Sequence, residues 1–323
     1  MKNKPMNASC SAAAGGSALP PKPLATRSHG ALSDESMGML LGLAGVAIFS
    51  LTLPFTRMAV AALDPVFVAM GRAVAAGVLA ALWLWWKRES LPPRAALPQL
   101  LLVAAGCVVG FPLLTSIAMR SLPAAHGAVL VGVLPLATAL CSALRGHERP
   151  SPAFWASALL GSGLVLAFAL RQSGGSLHLA DLAVFAAVLA AAIGYAEGGR
   201  LSQSMGGQQV ISWGLVLSLP VALPITLWLI WQDPAAFTQA GLRAWGGFAY
   251  VSVFSMFIGF FFWYRGMALG GVARVGQVQL VQPFLSLLGA ALVLGEPLQG
   301  EHMLFALAVI AVVGVGRRAQ IRR

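Results

Sequence analysis

Ten apolar runs, most about twenty residues long and set off by polar or charged positions, decide what this chain can become. A helix rises about 1.5 Å per residue, so twenty residues cross the roughly 30 Å hydrocarbon layer of a bilayer. The runs cover 37–56, 65–86, 97–119, 123–144, 152–170, 182–201, 209–231, 244–264, 272–294 and 302–316. Only 10% of the 323 residues are charged, against about 25% in a soluble domain. The expected fold is an all-α integral membrane protein with ten transmembrane helices and the lipid bilayer as its solvent. Residues 1–36 are polar and rich in Pro, Ala and Ser, and are expected to form a disordered cytoplasmic tail. Their lysines are not followed by a compact apolar stretch, so no cleavable signal peptide is expected and the first run is kept as a span.

The net charge of +11 would suit a nucleic-acid binder, but the positions of the charges exclude that partner. They lie between and beyond the apolar runs, where topology explains them. Ten spans put both termini on one side. That side holds sixteen Lys and Arg, including the basic tail 317–323, and the other holds four: Arg57, Arg120, Arg171 and Arg243. Without the two tails the ratio is eight to four. The positive-inside rule then makes both termini cytoplasmic.

An internal repeat organises the spans. Pro135 precedes Glu148 by thirteen residues, and Pro283 precedes Glu296 by the same number, at an offset of 148. The offset also pairs Ala125 with Ala273, Val133 with Val281, Leu140 with Leu288 and Ala143 with Ala291. The chain divides into repeat 1 at 37–171 and repeat 2 at 181–316, five spans each. Five is odd, so the second copy enters the membrane from the opposite face. The expectation is two inverted five-helix repeats that open a midplane cavity to each side in turn. Pro135, Glu148, Pro283 and Glu296 mark this repeat; the two glutamates close their helices and are read as caps or loop anchors facing water.

Ten spans in two halves, each closing on Pro-x12-Glu, resemble the EamA-type carriers of the drug/metabolite transporter superfamily. The stretch FWYRGMALGGVARVGQVQLVQPFLSLLGAALVLGEPLQ (262–299) carries the resemblance best, ending on Gly295-Glu296-Pro297. The first half departs from the pattern, with Arg145-Gly146-His147-Glu148-Arg149 where the family more often has a plain apolar-Gly-Glu ending. The resemblance implies a bacterial inner-membrane carrier, often an exporter of amino acids or other metabolites. It implies no particular substrate.

Single residues refine that reading. Arg72 lies about eight residues, or roughly 12 Å, into the second span. On a lipid face it would cost several kcal/mol, so it should face the interior. It is either a handle for a carboxylate or other anion or a structural partner of helix-end carbonyls. Gln279, Gln282 and Ser286 fall on one helical face of the ninth span, a polar stripe expected to line a cavity. Tyr195 and Trp213, deep in the sixth and seventh spans, join them as substrate-pathway candidates. Glu197 and His126 are coupling candidates, each set against a plainer alternative. Arg200 at i+3 explains Glu197 as an ion pair, and His126 reads equally as an interfacial histidine. Trp83, Trp85, Trp86, Trp228, Trp231, Trp263 and Tyr264 are read as interfacial belt residues. Gly38/Gly42, Gly106/Gly110 and Gly266/Gly270 are small-xxx-small pairs that allow close helix packing.

The leading function is a secondary transporter of a small polar or amphipathic, amino-acid-like metabolite, working outward by alternating access. A promiscuous drug-type exporter with an apolar cavity is the alternative. A non-transport scaffold and an intramembrane enzyme remain as a different class. No paired carboxylates, nucleophile–base pair or metal-spaced His/Cys cluster is seen, so no catalytic residue, metal or cofactor is expected. No GxxxxGK[ST] loop occurs either. The expected partner is a small-molecule substrate, and the oligomeric state stays open, a homodimer included.

Overall fold

In a bilayer every backbone N–H and C=O has to be satisfied within the chain, which leaves helices or closed barrels. The computed structural model describes residues 34–145, 152–172, 178–271, 275–276 and 278–318; these are helical, with no strand among them. The main helices are α1 (Asp34–Val60), α2 (Pro65–Lys87), α3 (Arg94–Ala118), α4 (Ala124–Leu144), α5 (Pro152–Gln172), α6 (Leu179–Met205), α7 (Gly207–Gln232), α8 (Leu242–Gly270), α9 (Gln279–Leu294) and α10 (Gly300–Arg318). Seven of them, α1–α4 and α6–α8, are long and apolar enough to cross a membrane. The other three carry shorter apolar stretches: Leu159–Arg171, Gln279–Leu294 and Gly300–Val312. Each apolar run of the sequence overlaps one of these helices. The protein is a multi-pass helical membrane protein.

Local chemistry fixes several helix ends. Asp64 caps α2, its Oδ1 accepting from Val66 N at 2.8 Å and Phe67 N at 3.0 Å, and Pro65 supplies the preset φ of a first helical residue. His178 and Asp181 form a reciprocal capping box at the start of α6. Gly295 ends α9 with φ 71°, and its N–H returns to Ala290 and Ala291.

Helices of the two halves meet as α1 with α8, α2 with α7, α3 with α6, α4 with α9, and α5 with α10, while α4 also packs along α6 and α9 along α1. In each of the five pairs the contacts run in opposite chain directions. Gly38 meets Gly270 while Thr52 meets Ser255; Glu296, at the end of α9, meets Ala124, at the start of α4. Gly77 meets Leu219 while Glu89 meets Gln209, and Arg171 meets Glu301 while Gly161 meets Val312. Gly106 lies on the backbone of Ala190 and Gly194, so α3 and α6 approach with no side chain between them.

Four of the helices are irregular, in two matching places. A wide π-type turn occupies Ala104–Gly110 in α3 and Tyr250–Gly259 in α8. Shifted by 148, the first falls inside the second. Helix α4 breaks at Gly132–Val133, and α9 tightens into a 3-10 turn over Gln279–Val281. These two also match under the 148 offset, and each stands just before the repeated proline. Pro135 and Pro283 have no N–H to give, which loosens the ladder there.

Close packing at Gly106 yields a direct expectation. Gly106→Ala would press a Cβ on the Ala190 carbonyl and should cost about 1–3 kcal/mol, read as a lowered thermal midpoint of the purified protein in detergent. Gly163→Ala, which meets nothing within 4 Å, should leave the midpoint unchanged or slightly raised.

Candidate functional site

The breaks in α4 and α9 face each other, with Gly132 beside Pro283. Around them lies a narrow cavity walled by seven helices. Its apolar wall includes Phe49 and Leu53 of α1, Phe111 of α3, Val131 and Leu134 of α4, and Met256 and Phe260 of α8. Its polar points are Thr52, Arg72, Tyr195, Ser255, Gln279, Gln282 and Ser286. Both repeat prolines, Pro135 and Pro283, also line it, as does the buried thiol of Cys107.

Five of the six substrate-pathway candidates therefore meet in one place: Arg72, Tyr195, Gln279, Gln282 and Ser286. Trp213 does not. It borders a separate surface groove with Trp85, Trp86, Arg88 and Glu89, because its face of α7 turns toward the end of α2 and away from the centre. Arg72 is 1% exposed, and its Nε has no hydrogen-bond partner among the described residues. Gln279 is 2% exposed, and its side-chain nitrogen is likewise unpartnered. Thr52 and Ser255 bond each other across α1 and α8 at 2.8 Å. Phe49 packs edge-on to Phe260 with centroids 4.9 Å apart, and Tyr195 stands edge-on to Phe260 at 6.0 Å. Sequence reasoning missed Thr52, Ser255, Phe49 and Phe260. Single hydroxyls and rings in an apolar run carry no periodic signal that points to a cavity.

Other candidates lie elsewhere. Glu197 is buried and its Oε2 sits 3.6 Å from Arg200 Nη2, the i,i+3 geometry expected of an ion pair. His126 does not face outward. It is buried, with Nε2 2.8 Å from Oδ1 of the fully buried Asp181 on α6 and its ring tilted over Phe168. Asp181 lies one residue before the sixth apolar run. Its signal was local, an acidic residue three positions after His178 at a helix start. Trp263 and Tyr264 are buried too, 1% and 0% exposed, because α8 packs tightly on α1 and α6. Trp85 and Trp86 do stand outward, with 79% and 70% exposure.

Glu296 has a structural task. Its two carboxylate oxygens accept from Ala124 N at 2.9 Å and Ala125 N at 2.8 Å, capping α4, where the helix dipole favours negative charge. Arg57 Nε lies 3.4 Å from Glu296 Oε1, and Arg57 also donates to the carbonyls of Met119 and Leu122. One carboxylate and one guanidinium thus tie the ends of α1, α3 and α9 to the start of α4, about one turn beyond the cavity. The Glu296 side chain is 15% exposed, so it faces this joint and not open water. Its repeat counterpart Glu148 lies outside the described residues. Glu296→Ala should lose two charge-assisted bonds and the ion pair, lowering stability by about 2–3 kcal/mol in thermal unfolding. Glu296→Gln, which keeps one acceptor oxygen, should lose about half of that.

Comparison with known proteins agrees with this architecture. The sequence model of the EamA-like transporter family matches the chain twice, over residues 36–169 and 178–316. The Uncharacterized transporter YdeK of Bacillus subtilis (strain 168) is 48% identical over 287 residues, covering 89% of this chain and 99% of its own. The Uncharacterized transporter sll0355 of Synechocystis sp. (strain ATCC 27184 / PCC 6803 / Kazusa) is 22% identical over 280 residues, covering 80% and 83%. A solved crystal structure, 19% identical, superposes with a TM-score of 0.63 over 87% of this chain and 96% of its own, a likeness of fold.

Proposed function

The chain belongs to the EamA-like transporter family, and on that premise we propose that it is a secondary transporter of a small polar or amphipathic, amino-acid-like metabolite. The observation that carries this reading is the central cavity, walled by helices from both halves of the chain and set where α4 and α9 break. Irregular backbone at membrane depth is tolerated where it lines a cavity, and transporters place substrate there.

The proposed architecture is ten spans in two inverted repeats, 37–171 and 181–316. The five antiparallel cross-pairs support it, as do the π-type turns and helix breaks matched at the 148-residue offset. Inversion lets the halves exchange conformations, so that the cavity opens alternately to each side. The Arg57–Glu296 joint would close one side and part when that side opens. The excess of Lys and Arg on the side of the termini supports a cytoplasmic placement for both, in a bacterial inner membrane. The proposed direction is outward.

Of the two coupling candidates, His126 is the stronger, because Glu197 is held by Arg200. The buried His126–Asp181 pair joins α4 of one half to α6 of the other, where relative movement of the halves would part it.

The apolar walls favour the drug-type exporter as the second reading, and the buried Arg72 opposes it. Reconstitution in liposomes decides. Counterflow of labelled amino acids, organic acids, sugars and organic cations should show at least one class exchanging faster than in empty vesicles. Absence of exchange in every class would remove the transporter reading, and equal exchange of unrelated apolar cations would favour the drug-type one. If His126 couples protons, His126→Gln should abolish uptake driven by a pH gradient while leaving counterflow of the same solute largely intact.

A further inference from the structure

The cavity has a charge that nothing in the described protein balances. Arg72 is 1% exposed at membrane depth, and no carboxylate is among the residues lining the cavity. The chain has ten acidic residues, of which Glu148 lies outside the described ones. The other nine are placed elsewhere. Asp34 and Glu35 start α1; Asp64 and Asp233 cap helices; Glu89 meets Gln209. Asp181 meets His126, Glu197 meets Arg200, Glu296 meets Arg57, and Glu301 meets Arg171. The same cavity holds a second buried donor without a partner, the side-chain nitrogen of Gln279. Two unmet donors, one of them cationic, ask for an acceptor that carries negative charge.

Resting on the transporter reading above, we propose that the substrate is an amphipathic organic monoanion. Its carboxylate is taken by the Arg72 guanidinium, Gln279 offers a further donor, and its apolar part lies against Phe49, Tyr195 and Phe260. Charge balance separates this class from its neighbours. The residues lining the cavity carry one positive charge, that of Arg72. A monocarboxylate neutralises it, whereas a zwitterionic amino acid leaves one positive charge and an organic cation makes two. In a low-dielectric cavity an unbalanced charge is strongly disfavoured. An ammonium against the aromatic wall gains some cation–π attraction, but less than repulsion from the guanidinium and loss of water take away. A planar carboxylate also matches the guanidinium fork, which offers two parallel bonds.

Matched solutes test the charge directly. Phenylpyruvate and phenylalanine share carbon skeleton and carboxylate and differ at Cα, oxo against ammonium; 4-methyl-2-oxopentanoate and leucine form an aliphatic pair. In counterflow into liposomes holding the full chain, at least one oxo acid should exchange about tenfold faster than its amino acid. Its neutral amide should fail to compete. Arg72→Gln should lower oxo-acid exchange about tenfold or more, and Arg72→Lys should keep part of it. If the amino acids match or outpace the oxo acids, or the amide competes equally, the anion assignment is overturned while the transporter reading stands. If neither oxo acid moves while another class in the broad panel does, the same holds. If no solute exchanges, both fall. Should Arg72→Gln not yield monodisperse protein, the matched pairs on the unmodified chain still decide.

Discussion

Every backbone polar group inside a bilayer must find its partner in the chain, and this architecture follows from that one requirement. It forces the helices, and it confines departures from helical bonding to places that protein encloses. The π-type turns of α3 and α8 and the breaks of α4 and α9 are such departures. The breaks meet at the central cavity, which Pro135 and Pro283 line together with residues of other helices. The cavity is thus where irregular backbone is enclosed by protein.

The same medium sets the pattern of charges. Buried ions survive in hydrocarbon when paired, and the paired ones here do structural work. Glu296 holds the start of α4 and anchors Arg57; Asp181 both caps α6 and receives His126. These pairs sit near helix ends and join helices that are distant in sequence. Arg72 is the exception: among the described residues it has no acidic partner, and it stands in the cavity wall.

The residues legible in the sequence were those whose cost in lipid is high. A lone arginine in an apolar run and a polar stripe on one helical face both have to turn inward, so Arg72, Gln279, Gln282, Ser286 and Tyr195 were found before any contact was known. Rings were misread because an aromatic residue is at home in the core and at the interface alike. Trp263 and Tyr264 are core residues, and Trp213 borders a surface groove. The partner of His126 went unseen for another reason: Asp181 lies 55 residues away, one residue before the sixth apolar run.

Sequence by itself determined the medium, the helical class, the number and rough limits of the apolar segments, and the repeat spacing. Each of these follows from transfer free energy summed along a local stretch of chain, which needs no partner to be known. Tertiary structure decided which faces meet. It set α3 on α6 through Gly106, made Glu296 a cap for a helix 171 residues earlier, and left Arg72 without a counter-charge among the described residues. Those outcomes depend on contacts between distant segments, and a pairwise distance is not written in either segment alone.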